Sequence, residues 1–267
     1  NRGYTQVGGY DMRRREALRV VGSTALWILG RGLALGRATG EPIFRRYPEL
    51  AADVAVAPDR PFGVKGLGET PLGTSVLIRT RTEQPLHYHR ERLEVALVLQ
   101  GEGRLVVGGR EATLRPGQLV VIPPMTAHAF VGQMDILSRF SPKLMGDVVF
   151  VQAGSGPNEG TPLILDYRPP EIPQDRPFAA SALANAPLGT VVAVATRLGQ
   201  PWHYHRSKDE QIYVVAGEGV AQVELTRKRV GPGSLVLVPA GAIHQFQGSL
   251  QFVSVFGPAL MGDVVFL

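Results

Sequence analysis

All six histidines of this chain fall into two triplets, His87, His89, His128 and His203, His205, His244, and the second triplet lies 116 residues downstream of the first at every position. A chance arrangement of six histidines would match this way on the order of once in a hundred thousand, so the spacing marks a duplicated unit that has kept its imidazoles. The same offset carries Glu94 onto Glu210, Gly101 onto Gly217, Gly117 onto Gly233 and Pro123 onto Pro239. Pro71-Leu72-Gly73-Thr74 recurs as Pro187-Leu188-Gly189-Thr190, and the run from Leu144 to Phe150 recurs from Leu260 to Phe266. The match of 71–150 onto 187–266 has no gap, so every loop inside the unit keeps its length. The copies are expected to share one fold and to face each other across a pseudo-twofold axis.

Between the histidines, the first copy reads as short strands rich in valine, leucine and isoleucine: 76–80, 94–99, 104–107, 119–122, 127–131 and 136–140. Gly101-Glu102-Gly103, Gly108-Gly109 and Pro116-Gly117 punctuate them, and the first of these is expected to be a hairpin turn. The side-chain period of a strand is two, so His87 and His89 project from one face while Tyr88 points away, and His203 and His205 do the same around Tyr204. Glu94 or Glu210 returns on the neighbouring strand, and His128 or His244 arrives from a later one. Three neutral nitrogens and one carboxylate make a ligand set for one divalent transition metal per barrel, and manganese, iron, nickel, cobalt, copper and zinc all accept it. Following the same period, Ala96, Val98 and Gln100 face inward in the first copy and Ile212, Val214 and Ala216 in the second, with Phe130 and Phe246 beside the third histidine. Such apolar linings suit an aromatic or otherwise uncharged organic substrate better than a small dianion. Arg79 and Arg197 would anchor a carboxylate only if they turned inward, and arginines more often face solvent.

These motifs resemble those of the cupin superfamily, and two of them in one chain resemble a bicupin. The first family motif, two histidines one residue apart followed by a glutamate and a glycine, is matched by His87, His89, Glu94, Gly101 and by His203, His205, Glu210, Gly217. The second is matched in full by Gly233, Pro239, Gly241 and His244, and in the first copy by Gly117, Pro123 and His128 with Met125 in place of the inner glycine. Both copies lack the opening glycine, at Arg81 and Arg197, and the closing asparagine, at Gly132 and Gly248. The resemblance covers most of 65–267 and implies an all-β fold of two tandem jelly-roll barrels, with metal held by His87, His89, Glu94, His128 and by His203, His205, Glu210, His244. It implies a metal-dependent oxidoreductase of the dioxygenase kind acting on a small organic substrate, with Glu94 or Glu210 able to take a proton. The alternatives are a metal-dependent isomerase or decarboxylase, and a non-catalytic binding or accessory subunit. Oxalate decarboxylases are the poorer match, with longer repeats and an acidic lid segment that has no counterpart here.

The formal charge of +5 looks like a nucleic-acid signal until it is placed along the chain. Residues 1–46 hold nine arginines against three acidic residues, a net of +6, and the remainder holds nineteen basic against twenty acidic residues, a net of −1. The repeats are therefore no surface for polyanions, and no nucleic-acid partner is expected. With no cysteine there is neither a disulfide framework nor a thiolate ligand. Arg14-Arg15-Glu16-Ala17-Leu18-Arg19 ahead of the apolar stretch 20–36 resembles a twin-arginine export signal. Residues 12–36 admit three readings: a signal implying a periplasmic location, a membrane anchor, or a helix docking on a protein partner, the last consistent with a cytoplasmic chain. The expected division is an N-terminal helical segment at 1–40, a first domain at 41–153 and a second at 154–267, with homo-oligomerisation open. The proline-bearing stretches 37–63 and 154–177 read as irregular connections.

Overall fold

The computed structural model describes residues 38–267 apart from Ala55, Met145 and Met261, so the twin-arginine-like segment and the expected N-terminal helix lie outside the described residues. The first copy runs β1 (Ile43–Arg46), α1 (Tyr47–Asp53), β2 (Phe62–Thr70), β3 (Gly73–Thr80), β4 (His87–His89), β5 (Leu93–Val107), β6 (Arg110–Leu114), β7 (Gln118–Ile122), β8 (His128–Ser141) and β9 (Val148–Phe150). The second runs β10 (Leu163–Asp166), β11 (Phe178–Ala186), β12 (Gly189–Thr196), β13 (His203–His205), β14 (Asp209–Val223), β15 (Thr226–Val230), β16 (Ser234–Val238), β17 (His244–Gly257) and β18 (Val264–Phe266). All the pairings between these strands are antiparallel, and they form two nine-stranded sheets, each closing into one jelly-roll barrel. Among the described residues no helix is long and apolar enough to cross a membrane.

The strands expected at 94–99 and 104–107 are one strand, β5, and those at 127–131 and 136–140 are one strand, β8. Gly101-Glu102-Gly103 is therefore not a hairpin turn. It lies where the long β5–β8 ribbon bends, and Gly101 sits at φ +81° with its α-carbon so near the Gln133 carbonyl that no β-carbon would fit. A bulge just before this bend pairs Val98 with Ile136 and Gln100 with Asp135, skipping Leu99. The extra residue inverts the alternation, so Gln100 does not face the metal cluster as the period implies: it lies on the outer face and donates to Asp135 at 3.1 Å. Ala216 follows the equivalent bulge in β14 and is displaced the same way, while Ala96, Val98, Ile212 and Val214 do point inward.

The two stretches read as irregular each contain a strand, and these strands cross over. β1, from the first copy, pairs with β16 of the second barrel, and β10 pairs with β7 of the first. Ile43 opposes Leu237 and Leu163 opposes Val121, so β1 and β10 are the same element of the repeat. They stand 120 residues apart, four more than the repeat offset. The sequence units 41–153 and 154–267 therefore do not map one to one onto sheets, because each barrel is completed by a strand that precedes the other copy. Gly68 makes room for the exchange: a β-carbon there would lie 2.5 Å from Ile43 Cδ1 and 2.9 Å from Leu237 Cδ1.

Between the barrels lies an apolar layer built from matching positions of both copies, with Leu119 and Val121 meeting the environment of Leu235 and Leu237, and Leu137 that of Val253. This is the self-complementary packing of a two-fold interface. Helix α1 adds Leu50 to the same layer, with Val54 just beyond its end. Tyr47 donates to Asp135 at 2.7 Å, and Arg79 forks onto the same carboxylate at 2.7 Å from Nε and from Nη2. Arg79 thus points out of the barrel, as does Arg197, which donates to the carbonyls of Ile172 and Pro173. Neither reaches the interior to anchor a substrate.

Candidate metal centres

Each barrel brings its three histidines and its glutamate into one buried cluster, with one donor atom from each residue all lying within 4.8 Å of one another. In the first, β4 presents His87 and His89, β5 presents Glu94 and β8 opens on His128, which is the direct cross-strand partner of His87. β13, β14 and β17 repeat the arrangement with His203, His205, Glu210 and His244. Alternation along a three-residue strand accounts for the two near imidazoles, and the inner positions of two adjacent long strands account for the other donors. Among the described residues these are the two groups of histidine and carboxylate residues with such geometry.

The backbone fixes how the rings face. Nδ1 of His87 lies 2.9 Å from the Pro85 carbonyl and Nδ1 of His128 lies 2.9 Å from the Thr126 carbonyl; His203 and His244 meet the carbonyls of Pro201 and Ala242 at 2.9 Å. A carbonyl only accepts, so these contacts assign the proton to Nδ1 and leave a lone pair on Nε2. Nε2 of His128 lies 3.1 Å from Glu94 Oε2, with His244 and Glu210 at the same separation. Nε2 of His89 and of His205 is buried without any hydrogen-bond partner, although Glu94 and Glu210 stand 3.4 and 3.3 Å away. An orphaned buried imidazole nitrogen is costly, and a cation at the centre of the four donors satisfies it.

Protonation is set for the same occupant. Burial, joined by the neighbouring charge of His128, pushes His87 down to about 4, and burial with His244 pushes His203 down to about 3. Both are neutral ligands near pH 7. Burial alone would raise Glu94, but its interactions with the adjacent His128 and His89 outweigh that and hold it well below the usual carboxylate range. Glu210 is held low by His205 and His244 against the same opposing effect of burial. Each cluster therefore gathers three imidazole nitrogens around one carboxylate anion, the donor set of a divalent transition-metal site, one per barrel.

Two features near the clusters lie beyond the motif. Ser138 donates to Glu94 Oε1 at 2.6 Å, which leaves Oε2 turned to the histidines. Its counterpart Ser254 is buried with no hydrogen-bond partner for its hydroxyl, so the second carboxylate lacks this brace. Both serines sit between apolar inward neighbours, Ile136 and Phe140 or Phe252 and Phe256, and this shared polar exception is the readable signal. Ser138→Ala is expected to weaken metal binding in the first barrel by ~10- to 100-fold, the range for loss of an outer partner of a ligand. Ser254→Ala should change it much less, and titration against a competing chelator reads the difference. The second feature is the departure at Met125. It occupies φ +54° where Gly241 occupies φ +81°, and the backbone N–H of each donates to the carbonyl of His89 or His205, at 2.8 and 2.7 Å. The turn survives without its glycine at the cost of a left-handed methionine.

A family model described as a cupin domain matches the chain twice, over residues 75–135 and 190–256. An uncharacterized protein from Aquifex aeolicus is 31% identical over 83 residues, covering 30% of this chain and 69% of that protein. Among solved structures, oxalate decarboxylase from Bacillus subtilis aligns with a TM-score of 0.60 at 13% identity, over 87% of this chain and 80% of that one. A formate complex of oxalate decarboxylase from Lactobacillus farciminis aligns with a TM-score of 0.63 at 13% identity, over 88% and 91%. Likeness at that identity speaks for the fold, which both cluster-bearing repeats share with these structures. With one such repeat and one buried His3Glu cluster in each barrel, the chain belongs to the cupin superfamily as a two-domain bicupin.

Proposed function

We propose that His87, His89, Glu94, His128 and His203, His205, Glu210, His244 each hold one divalent transition metal, and that the chain is a metal-dependent oxidoreductase of the dioxygenase kind acting on a chelating organic substrate. The observation that carries this reading is the pairing of a complete His3Glu donor set with an interior that offers a substrate no opposing charge. Among the described residues the buried cation is Arg139, which is committed to Asp209 between the barrels. Arg79 and Arg92 are bound to Asp135 and Asp147. A bound ion would supply Lewis-acid activation of the substrate and a route for electrons to dioxygen. The protein's part is orientation: backbone carbonyls hold the imidazole tautomers, and Val98, Ile136 and Phe140 exclude water around the first cluster. Glu94 and Glu210, held firmly as carboxylates, serve as ligands in preference to the proton acceptors expected of them.

Metal-dependent decarboxylation is the second reading, favoured by the fold shared with oxalate decarboxylases over most of the chain. Metal-loaded protein supplied with enediols and flavonols is expected to consume dioxygen, and with oxalate to release no carbon dioxide. Carbon dioxide from oxalate without oxygen uptake would replace the first reading with the second. Metal binding with neither activity would leave a non-catalytic binding or accessory subunit.

A further inference from the structure

Each cluster ends towards solvent on an exposed phenylalanine. Phe150 closes β9 and Phe266 closes β18, at equivalent positions of the repeat, and they are the direct cross-strand partners of His87 and His203. His87 and His203 are in turn opposite His128 and His244. Directly opposed residues of antiparallel strands share a face. Three rings therefore form a row across the inner surface of each barrel, leading from solvent to the donors. Exposure falls along the row from 63% at Phe150 through 7% at His87 to 0% at His128, and from 45% through 4% to 0% at Phe266, His203 and His244. The Phe150 and His87 ring centres lie 6.1 Å apart at 50°, and those of Phe266 and His203 lie 5.7 Å apart at 41°.

A large apolar side chain left in water gains nothing from folding. Here one is left at the same point of both copies, on the approach to the same four donors. We propose that Phe150 and Phe266 are specificity residues, each a platform on which the planar, conjugated body of the substrate packs while two adjacent oxygens of that substrate reach the metal centre. This rests on the metal-centre reading and deepens it by naming the substrate class: a planar vicinal dihydroxy or hydroxycarbonyl compound. The row geometry fits such a molecule because a flat ring entering over the phenylalanine continues in line with His87 or His203, and offset or tilted contact with an aromatic face is favourable. A small aliphatic chelator would touch the donors without touching the platform.

The test compares metal-loaded wild type, Phe150→Ala, Phe266→Ala, the double alanine variant, and Phe150→Tyr with Phe266→Tyr. The probes are 2,3-dihydroxynaphthalene, planar and chelating, and acetohydroxamic acid, chelating without a ring. Metal content is measured first, then the dissociation constant of each probe from its absorbance. The platform predicts unchanged metal content, a roughly tenfold weaker affinity for the naphthalene probe in the barrel that lost its phenylalanine, an effect of about 1.4 kcal/mol, restoration by tyrosine, and acetohydroxamate unchanged. Equal loss of both probes, or loss of neither, would overturn it. So would a change of oligomeric state in the double alanine variant, which would assign the rings to contact with another copy. Wild-type protein that takes up no metal would instead sink the metal-centre reading and the platform with it.

Discussion

His87→Ala should take metal content from two equivalents per chain to one, and His203→Ala should do the same from the other side, with the double variant holding none. Each centre draws all four donors from a single repeat, through β4, β5 and β8 or through β13, β14 and β17, and no ligand is shared. Losing one of three nitrogens around a buried carboxylate removes a direct ligand, so the loss of affinity should exceed the ~10- to 100-fold typical of an outer partner. It also leaves Glu94 or Glu210 buried with fewer donors, which adds to the penalty. The folded state gains RT ln(1 + [L]/Kd) from a bound metal, about 2.7 kcal/mol at a hundred times Kd, so each single variant should also lose part of the metal-dependent rise in thermal stability. Elemental analysis of purified variants reads the stoichiometry directly. Unchanged metal content in both would show that the ligands are misassigned, and loss of both ions from a single substitution would show that the centres are coupled through the interface.

The metal clusters can be read before the fold because their signal is arithmetical: six histidines, one offset, and a period of two that puts His87 and His89 on the same face. What escapes the sequence does so for local reasons. β1 and β10 are four residues long, flanked by prolines, and 120 residues apart, so they fall outside a comparison registered at 116. Their apolar residues show as strands only once the other barrel supplies a partner. Gly101-Glu102-Gly103 carries the composition of a hairpin turn, yet the strand continues through it because β8 remains paired on both sides. Counting alternate residues places Gln100 inside, a rule that holds only until a bulge. Nothing in Leu97-Val98-Leu99-Gln100 announces the extra residue at Leu99. The serine at 138 is legible in principle, being an inward polar side chain between Ile136 and Phe140, but its role needs the position of Glu94.

The duplication breaks its symmetry in charge where the barrels meet, and there the second large effect is expected. Arg139 and Asp209 form an ion pair across the interface, Nη2 to Oδ2 at 3.2 Å, with side-chain exposures of 1% and 0%. The repeat partners of these residues are apolar: Val255 stands where the first copy has Arg139, and Leu93 where the second has Asp209. The pseudo-twofold axis thus relates a charged pair on one side to Leu93 and Val255 on the other, both in the apolar layer. Asp209 also accepts from the Thr70 hydroxyl, from the backbone N–H of Leu72 at 3.1 Å and from that of Ala240 at 3.1 Å. Arg139 donates to Ser75 and Thr70 at 3.2 Å, but its Nε has no partner, and burial lowers its pKa against the pull of Asp209. Gly73 is required beside it, since a β-carbon there would overlap the guanidinium, as Gly189 is required beside Leu93.

A buried pair of this kind costs desolvation on both sides, and breaking it leaves the surviving charge uncompensated. Arg139→Val alone and Asp209→Leu alone are therefore each expected to cost ~3–5 kcal/mol, near the upper end for single substitutions. The double variant reproduces the apolar pair already present on the other side of the axis and should return to within ~1–2 kcal/mol of the wild type. The coupling energy of the cycle would then be several kcal/mol, far above what independent sites show. Urea unfolding of the four proteins measures it. Additive losses would mean that the charges contribute through their own hydrogen bonds and not as a pair. A further step separates electrostatics from space: Gly73→Ala should be poorly tolerated while Arg139 is present and close to neutral once valine has replaced it. On this account the ion pair adds little net stability, and its effect is to fix which faces of two otherwise similar barrels can meet, because an apolar surface alone would accept either copy in either place.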